Sequence, residues 1–349
     1  MNIQGIVMNR HGGPEVFENA TLEIQDKPPA GQVRVRVEAC ALNHLDLWFR
    51  RGMAHLKLPM PHRLGSDAAG TIEALGDGVK GPPLGTKVVL APGVSCGVCE
   101  SCQFGQDNMC RDFKIIGEFL PGAYGDVVDV PAANVFPIPA NLSFGEAASI
   151  PLVFLTAWAM VVEKAQVTLG ETVLVHAAGS GVSSAAIQVA KALGARVITT
   201  ASSAAKLASA KALGADEVID LSKQDFTAEV KRLTGKKGVE VVIDHVGGEL
   251  FSKSMTVLAA GGRIASCGQT SGPPPSFDLT RTFMRYNTVL GTRMGAKKYL
   301  FPILRAFERG TFKPVIHKML PLTVEGASEG HRILEAREAF GKVVLTRGG

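Results

Sequence analysis

The sequence predicts an α/β protein of two domains, one built on a doubly wound parallel sheet and the other rich in β-strands. Three observations support this prediction. The chain has 349 residues with 46% hydrophobic content, which is enough for two cores. After residue 150, short apolar strands alternate with helices of about ten residues, as in a parallel sheet. Before residue 140, short alternating runs separated by Gly and Pro indicate half-exposed strands.

The β-rich segment comes first in the chain. Val33 to Val37 alternates apolar and charged residues, which is typical of a half-exposed strand. Turn-forming clusters at Pro28 to Gly31 and Gly81 to Pro83 separate such runs. Near the end of the segment, Ser143 and Glu146 have the spacing of a capping box and predict the start of a helix.

The segment after residue 150 shows the alternation of a doubly wound sheet. The predicted strands are Thr172 to Ala177, Arg196 to Thr200, Glu217 to Asp220, Glu240 to Asp244 and Arg263 to Cys267. The predicted helices between the first of these strands are Ala185 to Leu193 and Ala204 to Leu213. The phrase Lys-Ala-Leu-Gly-Ala begins at Lys191 and again at Lys211, so we expect two equivalent helix-to-strand turns at Gly194 and Gly214.

The tail of the chain contains further elements. Helices are predicted at Tyr299 to Arg309 and Glu329 to Glu338, and a last strand at Lys342 to Thr346. We expect this tail to complete the first domain. The predicted domains are therefore a discontinuous one, 1–149 with 293–349, and an inserted cofactor-binding one, 150–292.

Charge and hydropathy narrow the class of protein. The net charge is +5, and Lys and Arg are dispersed rather than gathered into a tract, so no nucleic-acid partner is expected. Met1 to Gly13 has the pattern of a strand and a turn instead of a cationic leader. The longest apolar stretch, Ile150 to Val162, is broken by Pro151 and Thr156 and predicts a buried helix instead of a membrane span. We expect a cytoplasmic protein without membrane contact.

The first strand of the parallel sheet ends in a phosphate-binding pattern. Val173 to His176 runs into the small residues Ala177 to Ser183 and then into a helix. Small residues let the backbone approach a pyrophosphate, and a helix N-terminus supplies N–H groups and a positive dipole end. The pattern is not a regular G-x-G-x-x-G, but its place between strand and helix predicts a dinucleotide site. The alternative is a tight turn without a ligand.

The end of the second strand bears on the choice of cofactor. An acidic residue there would bind the ribose 2′-hydroxyl of NAD, but the stretch Thr199 to Ser203 has none. Hydroxyl groups and the nearby Lys206 favour a 2′-phosphate, so we expect NADP(H) over NAD(H). The alternative for Lys206 is a solvated helix residue.

Four cysteines lie close together in the β-rich segment. Cys96, Cys99, Cys102 and Cys110 have the spacing C-x2-C-x2-C-x7-C. Four thiolates with no open coordination position are typical of a structural zinc ion. We expect one structural Zn²⁺ in a lobe at about residues 92–114. An iron–sulfur cluster and four unliganded thiols are the alternatives.

These motifs together resemble the medium-chain dehydrogenase/reductase superfamily. The resemblance rests on the four-cysteine lobe, on Gly65 to Gly70 and on the strand–helix series, and it covers essentially the whole chain. It implies a GroES-like catalytic domain and a Rossmann cofactor domain. The catalytic zinc ligands of the alcohol dehydrogenases in that family match Asn43, Ser66 and about Leu152 here. The resemblance therefore implies that the catalytic zinc is missing.

The same segments resemble the zinc-free quinone oxidoreductase and enoyl reductase branch. Asn43 to Asp46 matches its Asn-x-x-Asp motif, and Leu155 to Ala157 matches its Leu-Thr-Ala segment. Two positions depart from the pattern. Ser183 replaces the last Gly of the phosphate turn, and Leu221 stands where many NADPH-binding relatives have Tyr.

The resemblance also implies site residues. Asn43 would position the substrate or the nicotinamide ribose, and His44 would bind the cofactor or relay a proton. Trp48 completes the catalytic candidates; the alternatives are a surface role for His44 and packing alone for Trp48. Implied cofactor contacts are Thr156, Ser180, Gly181, Val182, Thr200, Ser202, Lys206, His245, Val246, Gly268 and Met294. Lys342 is a further, less specific candidate for cofactor contact.

Without a catalytic metal, reduction of an activated C=C bond is easier than reduction of an isolated ketone, because the charge moves to an enolate oxygen that hydrogen bonds can stabilise. We therefore expect an NAD(P)H-dependent reductase of a small α,β-unsaturated carbonyl substrate: a quinone, an enone, an enal or an enoyl thioester, of which the thioester is favoured. A set of five basic residues could bind the phosphates of coenzyme A. The alternative is that these residues form a solvated charged face. That set is Arg281, Arg285, Arg293, Lys297 and Lys298.

Two other functions and one assembly are considered. The first is an alcohol dehydrogenase with an atypical metal site at His44, His62 and Asp67. The second is a non-catalytic dinucleotide- or RNA-binding protein. Val289 to Thr292 resembles the edge strand through which family dimers join, so a homodimer is expected and a tetramer stays open.

Overall fold

The computed structural model describes residues 1–53 and 57–348. The chain forms two compact units. The first comprises Met1–Leu152 and Ala296–Gly349, and the second comprises Val153–Gly295. The second unit is thus an insertion in the sequence of the first.

The strands and helices follow one another along the chain. The strands are β1 (Asn2–Met8), β2 (Phe17–Glu23), β3 (Gln32–Ala41), β4 (Asp67–Leu75), β5 (Lys87–Leu90), β6 (Gly93–Val94), β7 (Lys114–Ile115), β8 (Val127–Pro131), β9 (Val135–Pro137), β10 (Thr172–Val175), β11 (Arg196–Ala201), β12 (Glu217–Asp220), β13 (Val239–Asp244), β14 (Leu258–Ser266), β15 (Thr288–Gly291), β16 (Ile316–Pro321) and β17 (Lys342–Thr346). The α-helices are α1 (His44–Arg51), α2 (Glu100–Gln103), α3 (Phe144–Ala148), α4 (Pro151–Trp158), α5 (Gly181–Ala192), α6 (Ala204–Ala212), α7 (Phe226–Leu233), α8 (Gly248–Met255), α9 (Leu279–Met284), α10 (Leu300–Glu308) and α11 (Val324–Glu335).

The first unit is built on a sheet with the strand order β16-β17-β3-β4-β5-β9, with β8 also paired to β3. Most of its pairs are antiparallel, and only β16 and β17 run parallel. Val33, Val35 and Val37 of β3 are fully buried in its core. The half-exposed pattern predicted for this run is wrong at Arg34, which is 1% exposed. The reason is a bidentate pair, because Asp129 of β8 accepts from Arg34 Nε and Nη2 at 2.8 Å each.

Two helix starts in the first unit can be compared with prediction. The capping box before α3 is confirmed, since Glu146 N donates to Ser143 Oγ and Ser143 N donates to Glu146 Oε2. Helix α11 begins at Val324 instead of Glu329, after the N-cap Thr323. Its first turns contain Gly326 and Gly330, whose low helix propensity hides the start in the sequence.

The second unit is one parallel sheet in the order β12-β11-β10-β13-β14-β15. The chain moves outward from β10 to β12 and returns to β13, so the order reverses between β10 and β13. Ligands of such sheets bind at the carboxyl ends of the strands at this reversal. The predicted α/β class with a doubly wound parallel sheet and a β-rich domain is confirmed.

The repeated phrase in the second unit forms the predicted pair of turns. Gly194 and Gly214 both have positive φ, 78° and 112°. In each turn the alanine after the glycine donates to the carbonyl five residues earlier, Ala195 to Ala190 and Ala215 to Ala210. The two turns are therefore equivalent, as predicted.

The fifth predicted strand begins earlier than expected. β14 starts at Leu258 instead of Arg263, because Leu258 pairs with Val239 before an irregularity in the register. Gly261 and Gly262 lie inside the strand, and in the sequence they look like a turn. The helix predicted from Ile150 to Val162 is α4, followed by a π-helical segment, Ala159–Lys164. In the part of the chain that the structure describes, no helix has the length and hydropathy that a bilayer span requires.

Candidate functional site

The four predicted metal ligands converge in the first unit. Their sulfur atoms all lie within 4.8 Å of one another. Cys96 Sγ lies 3.9 Å from Cys102 Sγ and 3.6 Å from Cys110 Sγ. A tetrahedral zinc ion with Zn–S bonds of about 2.3 Å would hold its sulfurs about 3.8 Å apart. The cluster therefore fits a zinc ion with four thiolate ligands and no open position.

Short elements and hydrogen bonds position the four cysteines of this lobe. The antiparallel pair β6 and β7 closes its base, and α2 carries Cys102. The backbone N–H groups of Val98 and Cys99 lower the pKa of the Cys96 thiol to about 6, whereas the Cys102 N–H is outweighed at Cys99 by burial and the neighbouring thiols, which raise the pKa of Cys99 to about 11. Asp107, 5% exposed, accepts from Lys297 N at 3.0 Å. The lobe is thus tied to the segment that follows the second unit in the sequence.

The predicted dinucleotide turn of the second unit joins β10 to α5. Ala177 has a φ of 52°, and Ala178 N donates to Thr200 O on the neighbouring strand. Ser180 is the N-cap of the twelve-residue helix α5, but its side chain makes no capping bond. The first N–H groups of α5 have no carbonyl acceptor within the helix, so they can donate hydrogen bonds to an anion. The turn fits the pyrophosphate of a dinucleotide.

Ser183, which departs from the glycine pattern, links this turn to the loop that follows β13. Its hydroxyl donates to His176 O at 2.6 Å and lies 2.8 Å from His245 Nε2. Because the Ser183 proton is committed to the carbonyl, its oxygen accepts from His245 Nε2–H. Ser183 therefore orients His245, which follows β13 and is one of the predicted cofactor contacts.

Thr200 is predicted to contact the cofactor, and the structure buries it completely. Its Oγ1 lies 3.2 Å from His176 Nδ1 and accepts from Ala177 N at the same distance. His176 Nε2 lies 2.7 Å from Ser254 Oγ, whose proton goes to Leu250 O. His176 therefore donates from Nε2 and accepts at Nδ1, and burial lowers its pKa to about 3, so it is neutral.

Apart from Lys342, which belongs to the first unit, the other predicted cofactor residues lie in the second unit as well. Ser202 is exposed just after β11, and Lys206 is in the first turn of α6. Val246 and Gly268 follow β13 and β14, and Met294 follows β15 with a φ of 53°. Because the carboxyl ends of parallel strands share one edge, this edge collects most of the predicted contacts. Their contact with a cofactor stays a prediction.

Asp244 ends β13 at the same edge and is fully buried. It accepts from Val246 N at 3.1 Å and from Gly247 N at 3.0 Å. Burial raises its pKa to about 6, and these N–H bonds only partly oppose the shift. The carboxyl group thus binds protons more tightly in the folded chain than in the unfolded one.

A pH-dependent contribution to stability follows for Asp244. A pKa raised by folding means that the free energy of unfolding falls as pH rises through the interval from the unfolded value to about 6. Between about pH 5 and about pH 7.5 this group should remove about 1 kcal/mol, since one pKa unit is about 1.4 kcal/mol. Urea unfolding of Asp244→Asn should lack this part of the pH slope. Parallel pH profiles for the two proteins would contradict the prediction.

The first unit gathers a second polar cluster where β3, β4 and β17 meet. Asn43 is 5% exposed, Asp67 is fully buried and Lys342 is 4% exposed. Lys342 Nζ donates to Asn43 Oδ1 at 2.5 Å and to Asp67 Oδ2 at 3.1 Å. Asn43 Nδ2 donates to the same Asp67 oxygen at 3.0 Å, and Leu152 N donates to Asp67 Oδ1 at 2.9 Å. Asp67 and Lys342 therefore hold this part of the unit together.

Helix α1 presents the other two catalytic candidates. His44 and Trp48 lie one turn apart, with ring centroids at 5.3 Å in an edge-to-face arrangement. Burial, and then the positive charge of Arg51, lowers the pKa of His44, so the ring is neutral at pH 7. Asp46 accepts from Asn43 N at 2.7 Å and from Gly65 N at 3.3 Å, and burial raises its pKa to about 6. The catalytic role of His44 and Trp48 stays a prediction.

A buried network fixes the far end of α1. Arg50 is fully buried, pairs with Glu335 of α11, and lies 3.0 Å through Nη1 from His331 Nδ1. A guanidinium only donates, so Nδ1 accepts and His331 Nε2–H points to Tyr124 Oη at 3.2 Å. Burial holds the pKa of His331 well below its usual value, which keeps the ring neutral. Helix α1, for which Asn43 is the N-cap, is thereby attached to α11.

The atypical metal site considered in the sequence does not form. His62 Nε2 is bonded to Gly117 O at 3.0 Å, and Asp67 is bonded to Asn43 and Lys342. Among residues 1–53 and 57–348, the four cysteines are the only group of three or more His, Cys, Asp or Glu side chains close enough to share an ion. The chosen ligands of that hypothesis are therefore wrong.

Sequence reasoning gave Lys342 and Ser183 too little weight. Lys342 was a minor cofactor candidate, and Ser183 only a departure from a glycine pattern. The sequence does contain a signal for Lys342, because it is the first residue of the apolar strand β17 and a buried cation needs a specific partner. Ser183 is the third residue of α5, and a hydroxyl in the first turn of a helix gives no comparable signal.

The comparisons with known proteins agree with this arrangement. The sequence profile described as alcohol dehydrogenase GroES-like domain matches residues 29–140, and the one described as zinc-binding dehydrogenase matches residues 181–309. A solved structure named NAD-dependent alcohol dehydrogenase is 52% identical, with a TM-score of 0.95, and covers 99% of this chain and 100% of its own.

Two curated relatives extend the range of named activities. Quinone oxidoreductase of Homo sapiens is 28% identical over 96% of this chain and 94% of its own. Acryloyl-coenzyme A reductase of Metallosphaera sedula is 32% identical over 93% of this chain and 95% of its own. Fold, phosphate turn and relatives together define an NAD(P)-dependent oxidoreductase.

The predicted resemblance is confirmed, and the chain belongs to the medium-chain dehydrogenase/reductase superfamily. The β-rich unit is its GroES-like domain, and the parallel sheet is its Rossmann domain.

Proposed function

We propose that the chain reduces the activated C=C bond of an α,β-unsaturated carbonyl compound with NAD(P)H. The observation that carries the proposal is the cluster at the position of the family's catalytic zinc. Asn43, Ser66 and Leu152 offer neither thiolate nor imidazole there, and Lys342 contributes a cation instead. The residues present do not fit a catalytic zinc ion. The names of the quinone and acryloyl-coenzyme A relatives support the same class of substrate.

The chain's residues have separate tasks in this reaction. The turn from Ala177 to Ser183 would hold the pyrophosphate, and His245, oriented by Ser183, would contact the cofactor beside it. A bound nicotinamide dinucleotide supplies the hydride. Neutral His44 would donate a hydrogen bond without adding charge, and Trp48 would shape the substrate site. Hydrogen-bond donors at the carbonyl oxygen would stabilise the enolate.

The test is oxidation of NADPH and NADH against a panel of acceptors. The panel contains crotonyl-CoA, a branched enoyl-CoA, a benzoquinone and a simple enone, and a primary alcohol with NADP⁺ or NAD⁺ is assayed beside it. Turnover of the alkenes or the quinone without turnover of the alcohol supports the proposal and ranks the acceptors. Alcohol turnover that a chelator abolishes would contradict it.

Alcohol oxidation is the second candidate, because the 52% identical structure is named an alcohol dehydrogenase. Metal content separates the two candidates. We expect one zinc ion per chain, held by the four cysteines. Two zinc ions per chain would favour the alcohol dehydrogenase.

Coenzyme A as part of the substrate receives little support from the predicted basic set. Arg281 donates to Thr256 O, Arg285 donates to Leu258 O, and Lys297 Nζ donates to Asn134 Oδ1 and lies 3.9 Å from Asp107 Oδ2. These three side chains fit the alternative of a structured charged surface. An enoyl-CoA stays in the panel on the strength of the acryloyl-coenzyme A relative alone.

We propose NADPH as the preferred reductant, because no acidic residue follows β11 and Lys206 lies in the first turn of α6. Removing the charge with Lys206→Gln should raise the Kd for NADPH about tenfold and leave the Kd for NADH unchanged, since only NADPH carries the 2′-phosphate. Titration of cofactor fluorescence measures both constants. Lys237→Gln is the control, because Lys237 is exposed and precedes β13, at the opposite edge of the sheet. Equal effects on both cofactors would oppose the assignment.

We also propose a homodimer through the edge of the parallel sheet. Strand β15 ends the strand order, and apolar side chains around it are exposed. Their exposed fractions are Leu279 69%, Phe283 60%, Met284 67%, Tyr286 80% and Val289 42%. An unpaired edge flanked by such a surface favours association with a second copy.

Charges on this surface should separate the copies. We expect the double variant Leu279→Glu, Phe283→Glu to change the mass in light scattering from two chains to one, because burying two carboxylates in an interface is costly. Leu169→Glu, at an apolar side chain with 83% exposure in the same unit, should stay dimeric. A dimeric double variant would place the interface elsewhere.

A further inference from the structure

The cluster of Asn43, Asp67 and Lys342 has one hydrogen-bond donor left over. Both N–H bonds of the Asn43 amide have acceptors, Asp67 Oδ2 at 3.0 Å and Ala41 O at 3.4 Å, and its Oδ1 accepts from Lys342. An ammonium group has three donors. Within residues 1–53 and 57–348, Lys342 Nζ uses two of them, on Asn43 and Asp67. Both donors of the amide that the family motif marks as catalytic are thus used, whereas one donor of the lysine is left.

We propose that the Lys342 ammonium is a catalytic residue that binds the carbonyl oxygen of the substrate, in place of the family's metal ion. This proposal rests on the function proposed above. Asn43, the assigned catalytic residue of the motif, then acts as a positioning residue, because its Oδ1 holds Lys342 Nζ in place.

The surroundings of Lys342 suit an electrostatic role. The side chain is 5% exposed and that of Asp67 is fully buried, so water screens this cation only weakly. Asp67 also accepts from Leu152 N, so the ion pair joins Asn43 to Leu152, two of the three positions that match zinc ligands in the family. Ser66, at the third, is 1% exposed and its Oγ has no partner in the described part of the chain. A carboxylate–ammonium pair thus connects segments that a metal would otherwise connect.

The reaction balances with this assignment. Hydride leaves the reduced nicotinamide, which is oxidised, and forms a C–H bond at the β-carbon of the substrate. The C=C electron pair moves to the carbonyl, and the resulting enolate oxygen accepts the third N–H bond of Lys342. Water then donates a proton to the α-carbon, the carbonyl is restored, and a proton from the solution neutralises the hydroxide that remains. The lysine keeps its proton throughout and lowers the energy of the charged intermediate.

Three variants test the assignment. Lys342→Met removes the ammonium but leaves the Asp67 charge buried, so it could lose activity by destabilising the fold. The double variant Lys342→Met, Asp67→Asn removes both charges and should recover the thermal midpoint. Lys342→Ala leaves space for an added amine. Each is assayed with NADPH and the best acceptor of the panel, and Kd for NADPH is measured in parallel.

We expect both methionine variants to lose about 100-fold or more in kcat, with Kd for NADPH changed by less than about twofold. Ethylammonium should partly restore the rate of Lys342→Ala, whereas tetramethylammonium, which has no N–H donor, should not. Recovery of the rate in the double variant would assign Lys342 to charge balance alone. A loss confined to Kd for NADPH would assign it to the cofactor. Either result, or an unchanged rate, overturns the proposal.

A binding experiment separates this proposal from the proposed function. Crotonate, a small carboxylate, is titrated calorimetrically into the protein saturated with NADP⁺. We expect its Kd to rise about tenfold or more in Lys342→Met, because the anion loses its donor. If the protein reduces no alkene but crotonate binding depends on Lys342, the function is wrong and the oxyanion site stands. If alkenes are reduced and neither kcat nor crotonate binding depends on Lys342, the function stands and this proposal fails.

Discussion

Replacing Val182 with Glu is expected to weaken NADPH binding by about 100-fold or more while the protein stays folded. Val182 is in the first turn of α5, where a pyrophosphate would bind the N–H groups. A carboxylate there faces two phosphates of the same sign, and like charges about 4 Å apart near a protein surface repel by about 4 kcal/mol. The same carboxylate favours the helix itself, by about 0.3–1 kcal/mol, through the helix dipole.

The matched control is Val182→Gln, which has the same shape without the charge. Its Kd for NADPH, from fluorescence titration, should stay within about threefold of the unchanged protein, since only sterics differ. Thermal midpoints of both variants should equal or exceed that of the parent. If the glutamate variant bound NADPH as tightly as the glutamine variant, the cofactor phosphates would not lie at this helix.

Replacing Cys110 with Ser is expected to remove the zinc ion and much of the stability of the first unit. Cys110 is 6% exposed, and its Sγ lies 3.6 Å from Cys96 Sγ. A serine hydroxyl is a weak zinc ligand, and the lobe between β6 and β7 has little apolar core of its own. A loss of about 3 kcal/mol would lower the melting temperature of a unit of this size by about 10 °C.

Zinc content by atomic absorption should fall from one ion per chain to near zero in this variant. Cys267→Ser is the control, because Cys267 belongs to the second unit and is not one of the four clustered cysteines. It should keep both the zinc and the melting temperature. A Cys110→Ser protein that keeps its zinc ion and its melting temperature would show that the four sulfurs do not hold a structural metal.

The sequence was most informative where a local pattern has one structural solution. Cys96 to Cys110 has the spacing of a metal lobe, and the structure brings the four sulfurs within 4.8 Å. Glu217–Asp220 and Lys342–Thr346 are strands with the predicted bounds. In these segments, propensity, apolar pattern and flanking glycines all agree, which is why sequence reasoning succeeds.

The differences arise where tertiary contacts override local patterns. Arg34 is buried because Asp129, far away in the sequence, neutralises it. The start of α11 is hidden because Gly326 packs so closely that an added Cβ would lie 2.0 Å from Pro321 O. The hydrogen bonds of Lys342 join residues separated by 299 and 275 positions. No window of neighbouring residues contains such pairs, so their role emerges only from the fold.

The discontinuity of the first unit has a consequence for synthesis on the ribosome. Strand β3 and the loop of Asn43 emerge early, but β17, which pairs with β3 and carries Lys342, is made only after the whole second unit. At about 5–20 residues per second, Ala39 to Ala41 of β3 would wait tens of seconds for their partner strand, and Asp67 for its cation. The inserted unit has all its strands by then and can fold first. The cluster of Asn43, Asp67 and Lys342 is therefore completed only after the inserted unit has been synthesised.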